Sequence, residues 1–286
     1  MMGVAAGVAA AWALASAKTG RADGTLVQGV HPYRRMMPFI MPTRNESVAY
    51  FDTPIDAAKL QAFCASRAHR CTVTHCLVGA LGVALREVPS LNRFISGHRL
   101  YARRDRVVSF SMKRQQLDAA AKIAVVRLVL RDEPFAALCA RIDAEVDRER
   151  RPDKTPFDQE LGAFLALPAP VLRAGVWAFR WLDAHNLLPR FFTEGDAMFA
   201  SAFVANLGSL GMGPAYHHLY EWGNCPVFVA AGAVEERPVV REGAVVARQI
   251  LPLRWSFDER IDDGLTARHG LDAVVRALKD PERWLA

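Results

Sequence analysis

From Ser47 to Ile55 apolar and polar residues alternate, the period of a half-buried strand. Asp56 then caps a helix with apolar residues at Leu60 and Phe63, and Thr72 or Thr74 opens a second helix, HCLVGALGVALREV, stopped by Pro89. That second run is too apolar all round for a surface helix and predicts a buried one. Leu91 to Arg106 reads as two strand-like pieces on either side of Gly97, followed by a strand from Val107 to Met112. Lys122 to Leu130 predicts another strand, and Glu133 to Arg150 an amphipathic helix whose late arginines suit the negative end of its dipole.

Between Pro152 and Asp196 the pattern changes to a Pro-punctuated, aromatic stretch. Within it Val171 to Asp183 predicts a helix carrying Trp177 and Trp181 on one face. A membrane surface is one reading of that face, and a covering insertion or subunit contact the plainer one. The last third predicts a strand from Phe199 to Ala205, a Gly-rich turn from Asn206 to Gly213, and a strand from Val227 to Val234. A turn at Glu242-Gly243, a strand from Val245 to Trp255 and a closing helix from Leu265 to Leu278 complete it. No repeat interrupts this order and no linker divides it, so one α/β domain is expected over 34–286, with a helical insertion near 152–196.

Composition changes this picture little. The chain has 286 residues, 51% hydrophobic and 23% charged, with a net charge of +6 from scattered arginines. That surplus favours anionic partners, yet no zinc-finger spacing, ribonucleoprotein motif or basic-aromatic run points to nucleic acid. A phosphate-bearing small molecule fits better. The five cysteines are odd in number and sit in apolar segments, which argues for a reducing compartment rather than a disulfide framework. His69, Cys71, His75 and Cys76 lie close in sequence but lack metal-ligand spacing, so they read as core cysteines and surface histidines, with no metal expected. Residues 1–33 read as an apolar extension and a polar link. Met1 to Ala17 is apolar but lacks a basic start and is short for a bilayer span, so a packed helical extension in a cytoplasmic protein is expected, with export or membrane anchoring as the alternative.

Three blocks, in order, carry a resemblance. Thr72 to Phe94 holds a helix ending in PSLN; Val204 to Gly211 reads VANLGSLG and is followed by PVFVAAGAVEERPVV; Leu253 to Gly264 reads LRWSFDERIDDG, with LKDPERWL at the tail. Together they resemble the catalytic acyltransferase domain of 2-oxoacid dehydrogenase complexes over roughly residues 34 to 286. The resemblance implies a chloramphenicol acetyltransferase-like two-layer α/β sandwich with a mixed β-sheet. It also implies a homotrimer or higher assembly of trimers, with coenzyme A or an acyl-CoA meeting its acceptor in a channel between subunits. No lipoyl domain is recognisable upstream of residue 34, so a stand-alone version is expected.

The same resemblance puts the chemistry in question. The family's histidine of HxxxDG removes a thiol proton, and here that position is Glu259; Asp263 and Gly264 keep the rest of the motif. The family's serine hydroxyl, which stabilises the tetrahedral oxyanion, falls on Ala205. An ordinary thiol at ~8.5 and an ordinary carboxylate at ~4.3 differ by about four units, or roughly 5.7 kcal/mol of uphill proton transfer, against about 2.7 for histidine. A lost oxyanion donor costs about 3 kcal/mol more. His217 and His218, in PAYHHLYEWG, are the candidate replacement bases, oriented by Glu221 or Glu259; the plainer reading makes them loop residues. Asn206 and Ser209 are candidate polar contacts for an oxyanion or pantetheine, and Arg44 looks like the arginine that supports the motif's aspartate, Asp263. Two hypotheses follow: a variant acyl-CoA-dependent acyltransferase built on Glu259, or a non-catalytic trimeric binding or scaffold protein of the same fold.

Overall fold

The structure, a computed structural model, describes residues 18–113, 123–150 and 166–285. The apolar N-terminal run at 1–17 and the first part of the expected insertion, 151–165, lie outside the described residues.

Seven strands form the main sheet: β2 (Val48–Asp56), β5 (Val107–Lys113), β6 (Ile123–Val129), β7 (Ala202–Asn206), β8 (Val227–Ala231), β9 (Glu235–Arg241) and β10 (Ala244–Asp258). They run in the order β2-β10-β8-β7-β5-β6, with β9 paired to the first half of β10. β7 is parallel to both neighbours and every other pairing is antiparallel, so the sheet is mixed. The 15-residue β10 organises it: Ala244–Ile250 pairs with β9, and its second half sits between β2 and β8. The β9–β10 hairpin turns at Glu242 and Gly243, both with positive φ (51° and 81°), the geometry of a tight two-residue turn that matches the twist of the strands it joins.

Alternation along the strands sorts the two faces. Ala202 and Val204, Val227 and Val229, and Leu253, Trp255 and Phe257 point to the helical layer. That layer consists of α2 (Ala58–Ser66), α3 (Val73–Glu87), α4 (Phe135–Arg150), α7 (Gly264–Lys279) and α8 (Pro281–Trp284). α3 is the central helix, with ten of its 15 residues buried, as its uniform hydrophobicity requires. The opposite sheet face carries Phe203, Ala205, Phe228 and Ala230, a smaller apolar cluster covered by Leu219, Cys225 and Ala200.

A three-stranded antiparallel sheet stands apart, in the order β1 (Gly24–Leu26), β4 (Arg99–Arg103), β3 (Arg93–Ser96). One local expectation changes here. Residues 18–30, read from sequence as a link, supply β1, because Arg21 anchors them: it is 7% exposed and bonds Asp23, Ser96, Asp183 and Asn186. Residues 34–40, which carry Pro38, belong to a helix, α1 (Pro32–Ile40), which starts with proline at its first position, where no amide donor is needed. α5 (Ala169–Ala184) contains the expected Trp177/Trp181 helix, and α6 (Arg190–Gly195) follows. Among the described residues no helix is long and apolar enough to cross a membrane.

Candidate active site

The motif DERIDDG begins where β10 ends and finishes where α7 begins. Asp258 is 1% exposed, and its carboxylate accepts from Ser47 Oγ (2.9 Å), from the Arg260 amide (3.1 Å), and from Arg260 Nε and Nη2 (2.9 and 2.8 Å). Arg260 in turn donates to the carbonyls of Met41 and Pro42, each 3.1 Å away. A buried ion pair satisfied on this many sides locks the strand end. Asp263 caps α7: its Oδ1 accepts from the amides of Leu265 (3.1 Å) and Thr266 (3.0 Å), which fixes the chain direction after the turn. Gly264 is exposed, and a Cβ built on it meets nothing within 4 Å.

Between these two anchors stands Glu259. Its amide donates to Ser47 O (3.0 Å) and its carbonyl accepts from Arg34 Nη1 (2.9 Å). Its half-buried carboxylate makes no ion pair and no side-chain hydrogen bond among the described residues. The backbone at Glu259 is therefore held on both sides, while its side chain is not engaged by another side chain among the described residues.

Three expected partnerships are not formed. Arg44 does not support Asp263: it is buried, donates Nη1 to Tyr220 O (3.1 Å), and has Asp258 as its main opposite charge, because β2 leads it to the strand side of the turn rather than the helix side. Burial lowers its pKa, and the Asp258 charge opposes that shift. Glu221 does not orient a histidine, since its Oε1 accepts from the amide and Nδ2 of Asn45 (3.0 and 2.9 Å). Neither His217 nor His218 is hydrogen-bonded to Glu259 among the described residues. Nδ1–H of His217 donates to the His218 carbonyl (2.7 Å), and its ring stacks on Phe228 at 4.1 Å. Burial pushes the His217 pKa below the ordinary histidine value. His218 is exposed and stacks on His217 at 4.7 Å.

Asn206 and Ser209 serve the turn itself. Asn206 Oδ1 accepts from the Ser209 amide (3.2 Å), Nδ2 donates to Thr74 Oγ1 on α3 (3.0 Å), and Ser209 Oγ donates to Asn206 O (2.7 Å). Gly208, in the same turn, passes so close to the backbone of Gly232 that a Cβ would lie 2.3 Å from its carbonyl oxygen, so glycine is required there by contact.

Ala205 lies on β7 between Ala230 of β8 and Ser111 of β5. Register partners share a sheet face, so Ser111 places a hydroxyl one strand from the position where the family's serine would stand. Sequence reading did not find Ser111, because only the parallel pairing of β5 with β7 brings it there. It did not find Arg34 either. Arg34, Arg35 and Arg99 line a cavity of about 730 Å³ between α1, the β3–β4 hairpin and residues 26–30. Through Arg34 this cavity touches the motif.

The family model described as 2-oxoacid dehydrogenases acyltransferase (catalytic domain) matches residues 194–286. The dihydrolipoyllysine-residue acetyltransferase component of the pyruvate dehydrogenase complex from Bacillus subtilis is 35% identical over 86 residues, 29% of this chain. The matched stretch is 18% of that protein's length. The cubic core of the pyruvate dehydrogenase multienzyme complex superimposes with a TM-score of 0.58 at 17% identity, covering 92% of this chain and 95% of that one. A chloramphenicol acetyltransferase gives 0.53 at 12% identity, covering 92% and 100%. The last third of the chain is thus similar in sequence to the catalytic acyltransferase domains of 2-oxoacid dehydrogenase complexes, and the described residues have the chloramphenicol acetyltransferase-like fold.

Proposed function

We propose that this chain is a self-associating, acyl-thioester-binding homologue of these acyltransferases in which the family's thiol-to-thioester transfer is disabled. The observation that carries this reading is the state of the two chemical positions on an otherwise well-built turn: a carboxylate without an orienting partner at Glu259 and a methyl group at Ala205. Together the two changes remove a base matched to a thiol and a donor to the oxyanion, worth roughly 10² or more each in rate. Coenzyme A remains the expected ligand class, supported by the arginine-lined cavity that adjoins the motif. Self-association as a homotrimer is supported by the apolar side of α1, where Tyr33, Met36, Phe39 and Ile40 are each more than half exposed.

Calorimetry with coenzyme A, and thiol release from a panel of acyl-CoAs with native protein and Glu259→Gln, test this. Binding without thiol release above background is expected; release that disappears in Glu259→Gln overturns the reading.

A second reading rests on His217. Its Nδ1–H is committed to a carbonyl, which leaves Nε2 as the lone-pair nitrogen of a ring kept neutral by burial, on the sheet face that carries Ala205. With Ser111 beside Ala205, these groups would form a variant acyl-transfer site. Thiol release that survives Glu259→Gln and is lost in His217→Gln would establish it.

A further inference from the structure

Cys64, near the end of α2, Cys71, in the loop before α3, and Cys76, in the first turn of α3, meet in space. Their sulfurs are 3.3 Å (Cys71–Cys64), 3.6 Å (Cys64–Cys76) and 3.7 Å (Cys71–Cys76) apart. His69 and His75, the sequence neighbours of Cys71 and Cys76, do not join this group, and Cys64 does. His75 is drawn away by Thr72 Oγ1, 2.6 Å from its Nδ1, and by Asp143, 3.3 Å from its Nε2. The ring of His69 lies against Phe135.

We propose that Cys64, Cys71 and Cys76 form a site for a thiophilic closed-shell metal ion, Zn²⁺ or Cu⁺, bound through three sulfurs. Three observations carry it. First, a tetrahedral ion with Zn–S bonds of ~2.3 Å needs ligand sulfurs about 3.8 Å apart, so each side of the triangle is within about half an ångström of one tetrahedral face before any ion binds. Second, all three sulfurs lie within 4.8 Å of one another without a disulfide. Third, Cys76 is fully buried while Cys64 and Cys71 are half-buried, which leaves an entry path on one side of a rigid base. Soft thiolates select this class of ion over Mg²⁺ or Ca²⁺.

The electrostatics agree with the geometry. Hydrogen bonding from Cys76 and Cys71, helped by the Arg67 charge, brings the Cys64 pKa down to about 7, while burial pushes Cys71 up to about 12. Binding is balanced as M²⁺ plus three thiols giving a tris-thiolate complex of charge −1 and three protons released to solvent, one fewer for each thiol already ionised; with Cu⁺ the complex carries −2. The site lies on the helical layer, away from the DERIDDG turn, and is independent of the function proposed above.

The test uses the reduced, metal-stripped full chain. Zn²⁺ is titrated in competition with a chromogenic chelator, and Cu⁺ anaerobically against bathocuproine disulfonate; the tighter arm identifies the ion. One ion per chain is expected, with protons released to a weak buffer as Zn²⁺ binds. Cys64→Ser and Cys71→Ser, at half-buried positions and checked for native circular dichroism, should each weaken binding roughly 100-fold. Cys225→Ser, at a cysteine on the opposite sheet face bonded to Val227 O, should leave it unchanged. Failure to retain either ion against its chelator overturns the proposal, as does equal binding by the two triad variants and the native chain.

Discussion

Arg34 Nη1 donates to the main-chain carbonyl of Glu259 across 2.9 Å, joining α1 to the motif from 225 positions earlier in sequence. With Ser47 O accepting the Glu259 amide, this contact holds the peptide units on both sides of the residue and leaves its side chain replaceable. A turn supported through its backbone keeps its shape when that side chain changes.

On the function proposed above, the family's transfer chemistry should be restorable on this turn. Glu259→His combined with Ala205→Ser should raise thiol release from acyl-CoA by about 10² or more over native protein, with each single change giving less. The measurement is a thiol-reagent assay on proteins matched for melting temperature. No gain in the double variant would count against the proposal that these two side chains are what disables transfer.

The Asp258–Arg260 pair should behave as a buried salt bridge whose halves cannot be removed singly. Side-chain exposures are 1% and 4%. Arg260→Ala should destabilise the fold by about 3–5 kcal/mol, and Asp258→Leu with Arg260→Met together by clearly less, because no unpaired charge is left behind. Urea denaturation compares the three proteins.

Acid should loosen the attachment of β1 before it unfolds the main sheet. Burial alone would raise the Asp23 pKa, but the hydrogen bond and charge of Arg21, with Arg103 and Asn224, outweigh it and hold the carboxyl below its ordinary value. A carboxylate depressed in the folded state adds stability that is fully present above the unfolded pKa, near ~3.9, and is lost as pH falls through the folded value. Amide exchange of residues 24–26 should therefore speed up as pH drops below about 4, after correction for intrinsic rates. Asp23→Asn should already show the loosened exchange at neutral pH and no further pH step.

The β9–β10 hairpin carries a correctable local strain. Glu242 adopts φ 51°, a left-handed conformation in which asparagine is more comfortable than glutamate. Glu242→Asn should stabilise the protein by about 0.5 kcal/mol, read as a small rise in melting temperature; a decrease would mean that the side chain has an unrecognised partner.

Most of the secondary structure was legible because it is written locally. The uniform hydrophobicity of residues 75–88 implies burial wherever that helix packs, and the alternation of residues 47–55 implies a half-buried strand in any sheet. The Glu242-Gly243 turn follows from two residues. Residues 18–30 misled because the role of Arg21, whose partners include Ser96, Asp183 and Asn186, is not visible in a short window.

At the candidate site the division is sharper. Sequence by itself determined the order of the motifs, and with it the resemblance that sets Glu259 against the family's histidine and Ala205 against its serine. Only the tertiary structure decided what surrounds them: Arg34 on the backbone, Asp258 closed on Arg260, Arg44 turned to Tyr220, Ser111 set beside Ala205, and Cys64 brought to Cys71 and Cys76. Each is a relation between side chains whose neighbours are fixed by strand register and helix packing, and those are set by burial across the whole core rather than by any local run of residues.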